Sequence, residues 1–321
     1  MAKTKQQGIN SLENQFFKLS KTSRNLFMST DSKLGKTLLR ALCYPFLFLS
    51  ALATVWATFH WQLNFGTCNI LFLVWTIAYL ALMEILIPYE RAWQPTLKEW
   101  LRDGIYLIIT MFGGGMAVAA VHGIAAVLSP LKSSFSLWFE IPLALGLSSL
   151  GSYIFHRITH VHPWLWLVHG IHHVEPKVNV GNNGVNHVLD VFGRRVLAQL
   201  PLILLGLSQP AIFVVAMFNT MQGYFVHANI DVRLGWLNYL LVSPEQHRLH
   251  HSENLEEAGH YSVDIPFWDL LLGTFTWRFG RKPKSIGVVN PEKFPLPDEI
   301  VAGFLNPWRK RGAKTTSLSM R

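Results

Sequence analysis

Long apolar runs alternate with short polar stretches through the first half of the chain, and none of these runs carries a Lys or Arg in its middle. Four are long enough to cross a hydrocarbon layer, which takes roughly 20 apolar residues per helix: Leu38 to Trp61, Ile70 to Pro88, Ile105 to Leu128 and Leu137 to Phe155. A fifth run, Val196 to Val226, is interrupted by Gly206 and Pro210, which disfavour one continuous helix. Its arms of about 10 and 16 residues would rise only roughly 15 and 24 Å as helices, so a re-entrant hairpin that dips in and returns is expected. One long tilted span is the competing reading, but it would carry the basic carboxyl end to the opposite side. The pattern predicts an all-α, multi-pass membrane protein with four transmembrane helices, a re-entrant helical hairpin and a helical cap on one side.

Composition agrees with that picture. Half of the 321 residues are hydrophobic and only 15% are charged, too few to solvate a soluble globule of this size. The net charge of +9 does not point to nucleic acid, because the basic residues sit at the two ends and between apolar runs, not interleaved with aromatics along a groove. They read as topology signals. Lys3, Lys5, Lys18, Lys21, Arg24, Lys33, Lys36 and Arg40 precede the first span or open it, and Arg91, Lys98 and Arg102 follow the second, whereas the opposite loops offer only Lys132. The two ends and everything from His156 onward are therefore expected on the cytoplasmic face, of either a bacterial inner membrane or the endoplasmic reticulum. The first apolar run is too long and too late for a cleavable signal peptide and should remain as an anchor. The expected division is a basic cytoplasmic tail at 1–37, a membrane and catalytic region at 38–279 and a basic tail at 280–321.

With only Cys43 and Cys68, both in or beside apolar runs, neither a disulfide framework nor a Cys-x-x-Cys metal pair is available. Gly113 to Gly115 lie inside the third span, where close helix packing is the expected use; no strand precedes them and no Lys-Ser/Thr follows, which excludes a phosphate loop.

The chemistry is carried by histidine. Of fourteen, eight fall in three tight clusters: His156-Arg-Ile-Thr-His160, His169-Gly-Ile-His172-His173 and His247-Arg-Leu-His250-His251. Spacings of three and four put side chains on one helical face, so each cluster offers two or three imidazoles to one place. Eight histidines exceed what one zinc uses, which is four ligands, or three and a water. Two ions with open positions for dioxygen would use them, and among redox-active metals that suit imidazole iron is the expected choice. His227, where the hairpin returns, and His187, in the polar loop before it, are further expected ligands. His60, His122, His162 and His260 are set aside: the first two fall toward the far side of the membrane and the others lack a partner at metal spacing. Among the nearby acids Glu175, Asp190, Glu245, Asp264 and Asp269, the preferred carboxylate partners for ligating imidazoles are Asp190 and Asp269. Trp164, Trp166 and Trp268 suit either a lipid entrance or interfacial anchoring.

These boxes resemble those of the fatty acid hydroxylase and sterol desaturase superfamily. The similarity lies in His156-x-x-x-His160, Leu165-Trp166-x-x-His169-x-x-His172-His173, His227-Ala-Asn229, Ser243-Pro244-Glu245-Gln246-His247-Arg248-x-His250-His251 and Trp268-Asp269-x-x-x-Gly273-Thr274. It runs from about Tyr106 to Thr274, and the tails lie outside it. The chain departs from the pattern at His260-Tyr261-Ser262, where many members have Asn-Tyr-Gly, and at Val185-Asn186-His187, where they have Arg-x-His. The resemblance implies a di-iron centre, four spans with a cytosolic cap, dioxygen as co-substrate and a lipid substrate that is hydroxylated, desaturated or demethylated. Electrons must come from an external donor protein, since neither a dinucleotide-binding glycine pattern nor a haem attachment site is present. A membrane zinc hydrolase and a non-catalytic haem-binding or metal-transporting membrane protein are the competing readings. A His-Glu-x-x-His protease is not supported, because no cluster has a glutamate in second position.

Overall fold

The computed structural model of the chain describes residues 33–128 and 133–309. Most of the expected basic amino-terminal tail, Lys132 and the last residues of the carboxyl-terminal tail lie outside the described residues. Four long helices carry the apolar runs: α1 (Lys33–His60), α2 (Phe65–Leu86), α3 (Leu97–Leu128) and α4 (Leu137–Val161), and all four are long and apolar enough to cross a membrane. The helices outrun the apolar stretches at several ends. The Asn64 side chain accepts from the Thr67 N–H at 2.9 Å and starts α2 five residues before Ile70, and α4 continues through His156 and His160 to Val161. Their outward faces are apolar, with Leu71, Ile108, Phe112 and Trp138 all exposed, which suits hydrocarbon and not water.

The fifth apolar run folds as a helical hairpin, α6 (Val188–Leu204) and α7 (Gln209–His227). It breaks where Gly206 takes φ +68°, a left-handed conformation that glycine adopts without steric cost, and the Leu207 N–H closes the end of α6 on the Leu202 carbonyl at 3.0 Å. Ser208 then caps α7. The arms are 17 and 19 residues long, longer than the apolar run suggested. Polar residues at the start of α6 belong to the helix because they pack against the bundle, as the buried Asp190 does. The Gly206 carbonyl accepts from the Ser133 N–H at 3.1 Å and the Ser208 N–H donates to Glu140 at 3.1 Å, so the tip of the hairpin lies beside the start of α4. The other end of the hairpin returns to the end of α4 that carries His156 and His160.

Glycine lets α6 wedge between α3 and α4. A Cβ on Gly151 of α4 would lie 2.1 Å from the Leu197 carbonyl oxygen, and one on Gly113 of α3 would lie 3.0 Å from Val188. Gly114 leaves room for the Arg195 side chain, while Gly115 meets nothing. On the other side, α1, α2 and α7 share an apolar core of fully buried Leu47, Leu80, Met217, Met221 and Phe225. Short helices cap the histidine end: α5 (Pro163–His173), α8 (Pro244–His250), α9 (Phe267–Leu271) and α10 (Ile300–Leu305). The chain after residue 280 packs onto this cap, with Phe294 against Trp166 and the Asn306 amide donating to the Leu167 carbonyl at 2.7 Å.

The close approach of α6 to α4 makes a specific prediction. Gly151→Ala should destabilise the detergent-solubilised protein by about 1–3 kcal/mol, the usual cost of overpacking. Gly123→Ala, where a Cβ meets nothing within 4 Å, should leave the midpoint of thermal unfolding unchanged or raise it. Equal midpoints for both variants, followed by circular dichroism, would contradict this packing.

Candidate metal centre

The three clusters and His227 converge on two adjoining groups. One holds His156, His160, His169, His173 and His250; the other holds His172, His227, His247 and His251; within each group one potential ligand atom per residue lies within 4.8 Å of the rest. Helical phase explains the division. On α5 the i, i+4 pair His169 and His173 faces the first group while His172 faces the second, and on α8 the pair His247 and His251 faces the second while His250 faces the first. Each His-x-x-His-His element therefore serves both groups. Where they meet, the His173 and His251 rings stack with centroids 4.2 Å apart.

Local sequence sets these helices in place. Ser243-Pro244-Glu245-Gln246 is a helix start: Ser243 caps α8, Pro244 occupies its first position, and the Gln246 side chain accepts from the Ser243 N–H at 2.8 Å. Pro163 opens α5 in the same way, with the His162 ring capping it.

Hydrogen bonds on the outer ring nitrogens fix which nitrogen points inward. A carbonyl oxygen only accepts, so the Nδ1 facing it must carry the proton. Nδ1 of His156 donates to the Tyr261 carbonyl at 2.6 Å, His172 to Val185 at 3.1 Å, His227 to Asn179 at 2.8 Å and His250 to Gly259 at 2.7 Å. His169 Nδ1 donates to Asp190 at 3.2 Å. Nε2 of these five rings is left with a lone pair. Nε2 of His156 and Nε2 of His169 face each other at 3.1 Å. Nε2 of His160, His227 and His250 and Nδ1 of His247 are buried without any partner. Such an arrangement is costly when left alone and is what a bound cation requires.

Burial also favours the neutral form of several of these imidazoles, the form metal ligation needs. Burial, with neighbouring imidazoles adding to it, holds His172, His173, His247 and His251 well below the ordinary imidazole range. Burial pushes His250 down to about 3 and His227 to about 4, against the hydrogen bonds to Gly259 and Asn179. At Asp190 burial works to raise the pKa, but Arg194 at 2.8 Å and His169 outweigh it and keep the carboxyl well below its usual range. The donor set fits metal: nine imidazoles in two groups, more than a single four-coordinate ion takes up.

Two sequence expectations need correction. His187 joins neither group; its Nδ1 accepts from the Leu189 N–H at 3.1 Å as the cap of α6, and its Nε2 faces the Phe304 carbonyl at 3.0 Å. Asp269 touches no imidazole. It accepts from the N–H groups of Tyr261 and Ser262 at 2.8 and 3.0 Å and from the Thr274 hydroxyl at 2.6 Å, which sets the loop whose Tyr261 carbonyl holds His156. Asp190, by contrast, does contact His169. Trp166 is buried against His160 and His173 instead of lining an entrance, and His260 accepts from the Thr276 and Trp277 N–H groups. Sequence reasoning missed Glu84, whose carboxylate accepts from the Val180 N–H at 2.6 Å and the Asn229 N–H at 2.8 Å, tying together the two segments that meet at His227. The available signal was a lone acid inside an apolar span.

A cavity of about 700 Å³ opens between α2, α3, α4, α6 and α7 and reaches His156, His172 and His247, touching both groups. Apolar side chains such as Ile70, Leu73, Met111, Val118 and Leu202 line much of it, together with the Arg195 guanidinium.

Comparison with known proteins bears on what such a site does. A family model described as fatty acid hydroxylase matches residues 141–274, the stretch from α4 through Thr274. The ornithine lipid hydroxylase OlsE of Rhizobium tropici is 30% identical over 293 residues, covering 85% of this chain and 85% of the relative. Alkylglycerol monooxygenases are more distant: that of Danio rerio is 30% identical over 148 residues and that of Homo sapiens 29% over 142. The matched part spans only 32% and 31% of those two proteins. No solved structure matches the chain.

The roles assigned to Asp190 and His187 differ in a measurable way. Asp190→Asn should weaken metal retention about 10- to 100-fold, as loss of a ligand's orienting partner does, whereas His187→Ala should keep the full metal content of the purified protein. Metal analysis after graded chelator treatment decides, and a His187→Ala protein that loses metal while Asp190→Asn keeps it would reverse the assignment.

Proposed function

The chain belongs to the fatty acid hydroxylase family of oxidoreductases, and from that premise we propose that it hydroxylates a membrane lipid with dioxygen at a pair of iron ions. His156, His160, His169, His173 and His250 would hold one ion and His172, His227, His247 and His251 the other. The observation that carries this reading is the set of imidazole nitrogens converging in two adjoining groups, several of them buried without a partner, at the end of a largely apolar cavity. When bound, the metal pair supplies the activation of dioxygen. One oxygen atom enters a C–H bond as hydroxyl and the other leaves as water, with two electrons and two protons coming from an external donor protein.

The chain's own residues perform the rest. Asp190 and the carbonyls of Asn179, Val185, Gly259 and Tyr261 hold five imidazoles by their outer N–H groups, so that the inner nitrogens are aimed before any ligand binds. The cavity lets an acyl or alkyl chain reach the histidines along apolar walls while bulk water is kept back. The basic loops point to a cytoplasmic site, where a reductant is available and an acidic donor protein can dock on a basic face. Neither histidine group includes a carboxylate among the described residues, so the ligand set is all imidazole.

The names of the relatives favour hydroxylation over desaturation, and the relative matched over 85% of its length is named an ornithine lipid hydroxylase, which makes that lipid the first substrate to try. Iron-loaded protein should be given a reductant, a redox partner, ornithine lipid and isotopically heavy dioxygen, and the extracted lipid analysed by mass spectrometry. Incorporation of one heavy oxygen atom into the lipid, absent in His172→Ala, is the expected result. An alkene without incorporated oxygen would overturn hydroxylation, and water-derived oxygen in the product would overturn the oxygenase reading.

A further inference from the structure

On α6 two arginines are adjacent and differently placed. Arg194 is neutralised by Asp190 at 2.8 Å. Arg195 has no carboxylate partner among the described residues; the groups that act on it electrostatically are Arg194, a like charge, and the Tyr224 hydroxyl. Its guanidinium lies against the middle of α3, since a Cβ on Gly114 would come within 3.7 Å of it. α3 is one of the four helices able to cross a membrane, so this cation sits well inside the bundle and away from either end of that helix.

A full charge at such a depth is expensive unless something pairs with it, and an adjacent like charge adds to the cost. Arginines held this way usually line a path or a ligand site. Arg195 is exposed, and it is part of the lining of the 700 Å³ cavity that ends at the histidines. We infer that Arg195 is the specificity-determining residue for an anionic lipid, binding a carboxylate or phosphate of the substrate by charge-assisted hydrogen bonds inside the cavity. This rests on the lipid hydroxylase reading for the identity of the ligand as substrate, but the binding itself needs neither metal nor turnover.

The test uses the full chain in a neutral detergent, with thermal unfolding followed against octanoate, octyl phosphate, octanol and octylamine below their micelle concentrations. The two anions should raise the midpoint saturably where the alcohol and amine of equal chain length do not, and the stronger of the two identifies carboxylate or phosphate as the recognised group. Arg195→Gln should weaken binding of that anion about 10- to 100-fold, and Arg195→Lys should restore part of it. The ligand-free midpoint of each variant reports whether it is folded; if both fail to fold, the preference of the unaltered protein decides. Equal stabilisation by octanol, or an unchanged affinity in folded Arg195→Gln, would overturn the inference. Oxidation of lipid without any anion preference sinks this inference alone, whereas anion binding without oxidation of any lipid sinks the hydroxylase reading alone.

Discussion

Everything in this protein depends on holding nine imidazoles with their inner nitrogens turned toward one another. Nitrogens buried without a partner, as in His160, His227, His247 and His250, lose the hydrogen bonds that water would give them. The fold resists the resulting urge to rotate the rings by anchoring the outer N–H of five of them. Most of those anchors are backbone carbonyls, at Asn179, Val185, Gly259 and Tyr261, and a carbonyl cannot be turned without moving the chain. Glu84 and Asp269 therefore matter although they touch no histidine: each fixes the loop that presents an anchoring carbonyl or the ring itself.

The membrane-like part of the structure serves this centre by bringing an apolar path to it. The hairpin α6–α7 reaches from the histidine end to the start of α4 and back, so a single insertion supplies Asp190 on the way out and His227 on the return. Small residues allow the insertion, and the space left between α3, α6 and α7 becomes the cavity. Packing, access and ligand placement thus follow from the same wedge of α6 between its neighbours.

Much of this was legible in the sequence, for reasons that can be named. The four long helices were visible because apolar runs of that length have few other uses, and the hairpin break was visible because Gly206 stands in a run that would otherwise continue. The histidine clusters were visible because their three- and four-residue spacings put them on helix faces, although the division of each His-x-x-His-His between two groups needs the relative rotation of α5 and α8. His187 misled because a loop histidine and a helix-capping histidine look alike in sequence; only the Leu189 N–H and the Phe304 carbonyl reveal its task. Carbonyl anchors such as Val185 and Gly259 carry no side-chain signal at all, and Arg195 resembles any basic residue at an interface until Gly114 is found beside it.

The central claim is that the two histidine groups hold two metal ions side by side, and it is tested most directly by Mössbauer spectroscopy together with metal quantitation on protein reconstituted anaerobically with iron. Two irons per chain with a spin-coupled signal after oxidation is the result this account predicts. A single iron site, or stoichiometric zinc that iron does not replace, would contradict it.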